Sequence, residues 1–164
     1  MQAVVIYDSQ FGNTKQIAQA IARGLGEHGS VEILPASEVI ERLPATPDLL
    51  VVGGPTQRHG LSPTLRAFFD TLPRDGVGKA RAATFDTRYR MPPLISGSAA
   101  RQAAGRLRRA GCRLVAAPES FYVVREKPAD GEKARPGTER LEPDELERAL
   151  EWGRGLATAA LSHG

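Results

Sequence analysis

Cysteine is almost missing from this chain of 164 residues: Cys112 stands alone. An internal disulfide is therefore excluded, and so is any multi-cysteine zinc or iron–sulfur site. Aromatic residues are scarce at 5%, and no nucleic-acid-reading motif accompanies the arginines, so nucleic acid is not an expected partner. No apolar run is long enough to span a bilayer, and the N-terminus enters a β pattern without a basic-then-apolar leader; a cytoplasmic location is the expectation. The Gly-x-x-x-x-Gly-Lys-Ser/Thr of a P-loop NTPase and the Gly-x-Gly-x-x-Gly of a dinucleotide fold are both absent. No strand ends in a nucleophile elbow. A phosphorylatable receiver domain needs an Asp where Gly53-Gly54 stand.

What is present fits one domain, residues 1–164, with 41% hydrophobic and 25% charged residues. Net charge is only +3, but it is unevenly spread. Between Leu61 and Ser120, Arg66, Arg74, Lys79, Arg81, Arg88, Arg90, Arg101, Arg106, Arg108, Arg109 and Arg113 face only Asp70, Asp75, Asp86 and Glu119. That asymmetry predicts a basic face.

Strand and helix patterns alternate along the chain. Ala3–Tyr7 and Leu49–Gly54 are apolar without alternation, as central parallel strands are. Val31–Leu34 and Arg81–Phe85 are further strands, and Cys112–Ala117 with Phe121–Val124 read as one strand interrupted at Pro118. Helices are expected from Asn13 or Thr14 to Leu25, over Thr64–Leu72 with Ser62 as N-cap and Pro63 at its first position, and over Ser98–Ala110. Pro143–Leu161 closes the chain as a helix with Leu146, Leu150, Gly153, Ala157 and Leu161 inward. Ala36–Leu43 reads as a short helix or turn, Asp86–Ile95 as a long turn, and the charged, Pro- and Gly-rich Arg125–Leu141 as loop or disorder. This order predicts an α/β, doubly wound, five-stranded parallel sheet in the order 2-1-3-4-5 with helices on both faces. Its ligand crevice lies at the carboxyl ends of strands 1, 3 and 4.

The first of the loops so selected is Ser9-Gln10-Phe11-Gly12-Asn13-Thr14. A strand–turn–helix unit leaves free N–H groups at the helix start, with the helix dipole aimed into the turn. Ser9, Asn13 and Thr14 add side-chain donors and Gly12 permits close approach, so the turn suits a phosphate. A plain Asn/Thr cap without ligand explains the local pattern as well.

This stretch resembles the phosphate loop of flavodoxins. Val5, Ile6 and Tyr7 fall where that family ends its first strand, and Ser9, Gly12 and Thr14 fall on its Ser/Thr-x-x-small-x-Thr loop. The second loop, Pro55-Thr56-Gln57-Arg58-His59-Gly60, is similar to the Pro-Thr loop of flavodoxins and of flavodoxin-like quinone reductases. Asp86-Thr87-Arg88-Tyr89 occupies the place of the family's second flavin-contacting loop. The resemblance implies FMN, with its phosphate on Ser9–Thr14 and its ring between Pro55–Gly60 and Asp86–Tyr89. It covers about Ala3 to Ala117.

Two departures stand out. The family's large aromatic after the Pro-Thr step is missing from Gln57-Arg58-His59, which leaves Tyr89 as the candidate stacker. Arg58, Arg88 and Arg90 near a bound ring would stabilise its reduced anion and make the potential less negative than is usual for the family; the same arginines pointing to solvent would do neither. His59 is either a proton donor to the ring or an exposed loop residue. Cys112 reads as a buried small hydrophobe and Trp152 as packing.

The resemblance implies an electron carrier. An FMN-dependent NAD(P)H or quinone reductase and a cofactor-free binding or regulatory module are the alternatives. A redox partner protein, acidic to match the basic face, or a small quinone-like substrate is the implied counterpart.

Overall fold

The computed structural model describes residues 1–39, 47–72, 80–125, 135 and 137–162. One sheet organises it. Strand β1 (Gln2–Tyr7) lies between β2 (Ser30–Pro35) and β3 (Leu49–Pro55), and β3 pairs with β4 (Arg81–Tyr89). Two pieces follow β4: β5 (Arg113–Leu114) pairs with its start and β6 (Glu119–Arg125) with its end. All these pairings are parallel, so the interrupted fifth strand is present and the order 2-1-3-4-5 holds. The sheet then gains an edge that the sequence pattern does not announce: β7 (Glu139–Leu141) runs antiparallel to β6.

Alternate residues of the central strands feed two cores. Ala3, Val5, Leu49, Val51, Ala83 and Phe85 face helices α1 (Asn13–Gly26) and α6 (Glu145–Leu161). Val4, Ile6, Leu50, Val52 and Ala82 face α3 (Pro63–Thr71) and α5 (Ala99–Arg109). The period of two that turns successive side chains to opposite faces makes both faces apolar, which explains strands that read as unbroken hydrophobic runs. Trp152 packs edge-on against Phe85 and Phe121, with ring centroids 6.4 and 6.0 Å away. Cys112 is buried, and burial pushes its thiol pKa up.

Helix α6 presents a different stripe from the one its leucines predict. Leu146 and Leu161 are exposed, whereas Ala149, Gly153, Leu156, Ala157 and Ala160 are buried. The reason is close approach to α1. A Cβ on Gly24 would overlap the backbone at Leu150, and one on Gly153 would overlap the backbone at Ile21. Small residues, not large ones, therefore mark this contact.

Two further expectations need correction. The segment read as a long turn, Asp86–Ile95, begins as strand: β4 continues to Tyr89, and α4 (Pro93–Ser96) adds a short helical turn. Pairing with β6 across Phe85–Tyr89 overrides the polar character of these residues. The Arg125–Leu141 loop holds β7 in its last three residues, while residues 126–134 and 136 lie outside the described ones. The short helix expected over Ala36–Leu43 appears as α2 (Ala36–Val39); residues 40–43 lie outside the described residues. Among the described residues, no helix is long and apolar enough to cross a membrane.

Candidate functional site

The carboxyl ends of β1, β3 and β4 open into a cleft of about 150 Å³. Ser9, Gln10, Phe11, Asn13 and Thr14 form one wall, Pro55, Thr56 and Gln57 a second, and Thr87, Arg88 and Tyr89 a third. Three segments far apart in sequence therefore meet here. Val123 and Glu139 complete the lining from β6 and β7. Gly12, Arg58, His59, Gly60 and Asp86 do not line it.

The first wall is made by backbone. Gly12 adopts φ +93°, a left-handed conformation that costs a residue with a side chain about 1–2 kcal/mol. Gly12 caps α1 without any side-chain cap bond, so the Asn/Thr cap is not formed. Ser9 Oγ accepts hydrogen bonds from the N–H groups of Gly12 (3.1 Å) and Lys15 (3.3 Å). The Gln16 N–H donates to Gly12 O (3.0 Å). The N–H groups of Asn13 and Thr14 have no partner among the described residues, as the first turn of a helix requires unless a ligand or cap supplies one. Side chains contribute less than their chemistry permits. Asn13 Nδ2 donates to the carbonyl of Glu139 (2.9 Å), and the hydroxyls of Thr14 and Thr87 share one hydrogen bond of 2.7 Å. The Ser9 hydroxyl and one of the two threonine hydroxyls keep a proton to donate.

The second wall is a tight hairpin. Gln57 and Gly60 exchange both backbone hydrogen bonds at 2.9 Å, and Arg58 and His59 between them take φ +43° and +71°. That geometry turns Arg58 and His59 outward, both exposed, and Gln57 into the cleft. Gln57 Nε2 then donates to Gln10 Oε1 across the opening (3.1 Å). The position that lacks an aromatic is thus taken by an amide bridge between the first two walls.

Asp86 is where the structure departs most from the expected role. It is fully buried. Its Oδ2 accepts hydrogen bonds from the hydroxyls of Thr56 (3.0 Å) and Ser98 (2.7 Å) and from the Ala100 N–H (3.0 Å). Its Oδ1 makes no hydrogen bond and stands 3.7 Å from Arg88 Nε. Thr56 Oγ1 in turn accepts from the Ala99 N–H (2.9 Å). Asp86 therefore clamps the hairpin loop, β4 and the start of α5 together, and its charge faces the α5 N-terminus. It holds the site without touching the cleft.

The arginines divide sharply. Arg88 is 8% exposed, with Nε donating to Ser120 Oγ (3.0 Å) and Nη1 to Met91 O (2.8 Å) and Ser96 Oγ (2.9 Å). Arg90 pairs with Glu142 at 2.7 Å and covers the Tyr122 ring, 4.0 Å from its centroid. Both therefore have a carboxylate beside them. Arg58, Arg101, Arg108 and Arg109 are exposed and have no carboxylate partner among the described residues; Arg106 pairs with Asp70 (2.9 Å). The basic face exists, but it lies around the site more than inside it.

Glu139 is a cleft residue that sequence pattern does not identify. Tyr89 donates its hydroxyl proton to Glu139 Oε1 (2.8 Å), and Gly137 donates its N–H to Oε2 (3.0 Å). Arg125 Nη2 lies 3.2 Å from the Tyr89 oxygen and 3.7 Å from Glu139 Oε1. The hydrogen bond from Tyr89 is the main reason that the Glu139 carboxyl pKa lies below its ordinary value. Burial, and then that same bond, hold the Tyr89 phenol above its ordinary value. Phe11, 50% exposed, lays its ring against Gly137 at the other side of the cleft. Two aromatic rings thus border the cleft, from Phe11 and Tyr89. A stretch of mixed charge with three strand residues at its end carries no local signal for either contact.

Comparison with known proteins identifies the family and the fold. The family model described as Flavodoxin matches residues 5–153. No curated protein sequence matches the chain. A solved flavodoxin from the domain Archaea superposes with a TM-score of 0.71 at 20% identity, covering 98% of this chain and 99% of that one. A flavodoxin, WrbA-like protein from Agrobacterium tumefaciens gives 0.71 at 17% identity, with 99% of each chain covered. A flavodiiron core from Synechocystis gives 0.70 at 21% identity; all of this chain corresponds to 37% of that one. Identities this low establish the shared fold, and the family model spans most of the sequence. The chain belongs to the flavodoxin family.

Proposed function

We propose that the cleft binds FMN non-covalently and that the chain passes electrons through it. The observation that carries this reading is the pair of unpartnered N–H groups, Asn13 and Thr14, at the start of α1 and opening into a cleft bordered by two aromatic rings. Such donors with a helix dipole behind them suit a phosphate. Ser9 holds the turn, and the free hydroxyl proton of the Thr14–Thr87 pair adds a donor. The residues present therefore fit the group at its phosphate end. Tyr89 and Phe11 are the residues to border the ring, with Gln57 and Thr56 beside it.

Bound FMN would supply one- and two-electron transfer, and the protein supplies position and electrostatics. Arg88 and Arg90 are each offset by a carboxylate, as Glu139 in the cleft is by Arg125. This arrangement supports a potential less raised than three uncompensated arginines would produce. The exposed Arg58, Arg101, Arg108 and Arg109 suit an acidic redox partner.

A second reading, FMN-dependent reduction of a quinone-like molecule, is favoured by one observation. The hairpin carries no aromatic cover, and a further concavity adjoins the cleft beside it. Titrating the purified protein with FMN tests both readings. Saturable binding supports them, and failure of added FMN to bind leaves the cofactor-free module. Steady NAD(P)H oxidation with a quinone and no other protein favours the reductase.

A further inference from the structure

Next to the cleft lies a second concavity, lined by Arg58, His59, Met91 and Ile95, which meets the cleft at the shared Thr56, Arg88 and Tyr89. No carboxylate lines it among the described residues. Arg88 is the unusual element. Its guanidinium is nine-tenths buried and fixed by three hydrogen bonds through Nε and Nη1. Its Nη2 has no acceptor among the described residues. The fully buried unpaired side-chain atoms among those residues are Thr84 Oγ1 and Asp86 Oδ1, so Nη2 is not sealed in, and Arg88 lines both concavities.

An arginine held this rigidly has already lost its side-chain freedom, so an oxyanion meeting Nη2 gains a charge-assisted hydrogen bond at little ordering cost. Asp86 offsets much of the Arg88 charge. The net positive charge comes from Arg58, exposed and without a carboxylate partner among the described residues. On the other side, Met91 and Ile95 are 44% and 57% exposed and offer an apolar wall. Directional donor, uncompensated charge and apolar wall thus stand together beside the cleft.

We propose that this side pocket binds the carboxylate or sulfonate of a small organic substrate, with Arg88 Nη2 and Arg58 on the anion and Met91 and Ile95 against its apolar body. Its use as a substrate subsite rests on the flavin reading above; the anion binding does not.

Three anthraquinones that differ only at ring position 2 separate these claims: a sulfonate, a neutral hydroxymethyl and a cationic trimethylammoniomethyl derivative. Each is titrated calorimetrically into the full chain, as purified and again after incubation with FMN. The sulfonate should bind about tenfold or more tighter than the neutral compound, and the cation should bind weakest. Added salt should shrink the difference. Methyl NMR signals of Met91 and Ile95 should shift with the sulfonate. Arg58→Glu should remove the preference without altering the fold, because Arg58 is exposed, and Arg88→Met should remove it from the other side. Equal affinities for the three compounds, or a preference that survives Arg58→Glu, would overturn the proposal. Anion preference in a chain that does not bind FMN would retain the side pocket and reject the flavin reading. FMN binding without anion preference would do the reverse.

Discussion

The two ends of the cleft are built by different means. The end proposed for the phosphate, Ser9–Thr14, is one short segment in which backbone groups carry the geometry: a left-handed Gly12, a helix start and a serine that ties the turn. The end proposed for the ring draws on five segments, Phe11, residues 55–57, the end of β4, β6 and β7, and side chains carry it. Backbone geometry tolerates sequence change around it, whereas a wall of side chains can be rebuilt one residue at a time. The missing aromatic, the Gln57–Gln10 bridge and the Tyr89–Glu139 contact all lie at the second end.

Breaking the support shared by the ring end should have the largest effect. Asp86→Ala leaves the Thr56 and Ser98 hydroxyls and the Ala100 N–H without their buried acceptor and the Arg88 guanidinium without its counter-charge. Removing one partner of a buried charge network costs roughly 3–5 kcal/mol. Thermal melts should fall by about 6–20 °C for a domain of this size. A fall of one or two degrees would mean that the clamp is not structural.

At the phosphate end, Ser9→Ala unpairs two turn N–H groups. FMN affinity should fall about 10–100-fold, from the loss of the one hydrogen bond that the hydroxyl can donate to a charged group. Riboflavin affinity should stay nearly constant. A parallel loss for both flavins would show that Ser9 acts on the ring end too.

Gln57→Trp reverses the rebuilding of the ring end. An aromatic contact adds roughly 0.5–1.5 kcal/mol beyond area burial, so FMN and riboflavin should both bind a few-fold to about tenfold tighter. Fluorescence titration of the two flavins reads this directly. An unchanged affinity would place the ring elsewhere than beside residue 57.

Tyr89→Phe should have the smallest effect on stability, about 1 kcal/mol, since it removes two hydrogen bonds that are exposed or only partly buried. Its pH dependence is more telling. Glu139 is depressed in the folded state, so the contact stabilises above the unfolded carboxyl range and is lost as pH falls through and below about 4. Tyr89 is raised, so its contribution is present below the unfolded phenol pKa and lost as pH climbs above about 10. The difference in melting temperature between Tyr89→Phe and the parent should therefore vanish at both extremes and peak between them.

Sequence legibility follows the same division. The first loop, the Ser62 cap and the split fifth strand are all readable, because each depends on neighbours within a few residues or on a run of one character. Asp86 looks like a loop residue because its partners lie 12 to 30 positions away. Glu139 looks like linker because three strand residues in a charged stretch have no periodicity to show. The inward face of α6 is misread for a related reason: a leucine stripe is the usual mark of a buried face, and here backbone contact with α1 selects glycine and alanine.

The central claim is that the phosphate end is intact while the ring end has diverged. Affinities of the purified chain for FMN and for riboflavin, measured side by side, test it most directly. The account predicts saturable FMN binding at least about a hundredfold tighter than riboflavin, the worth of two charge-assisted hydrogen bonds. Equal affinities, or no binding of either flavin, would contradict it.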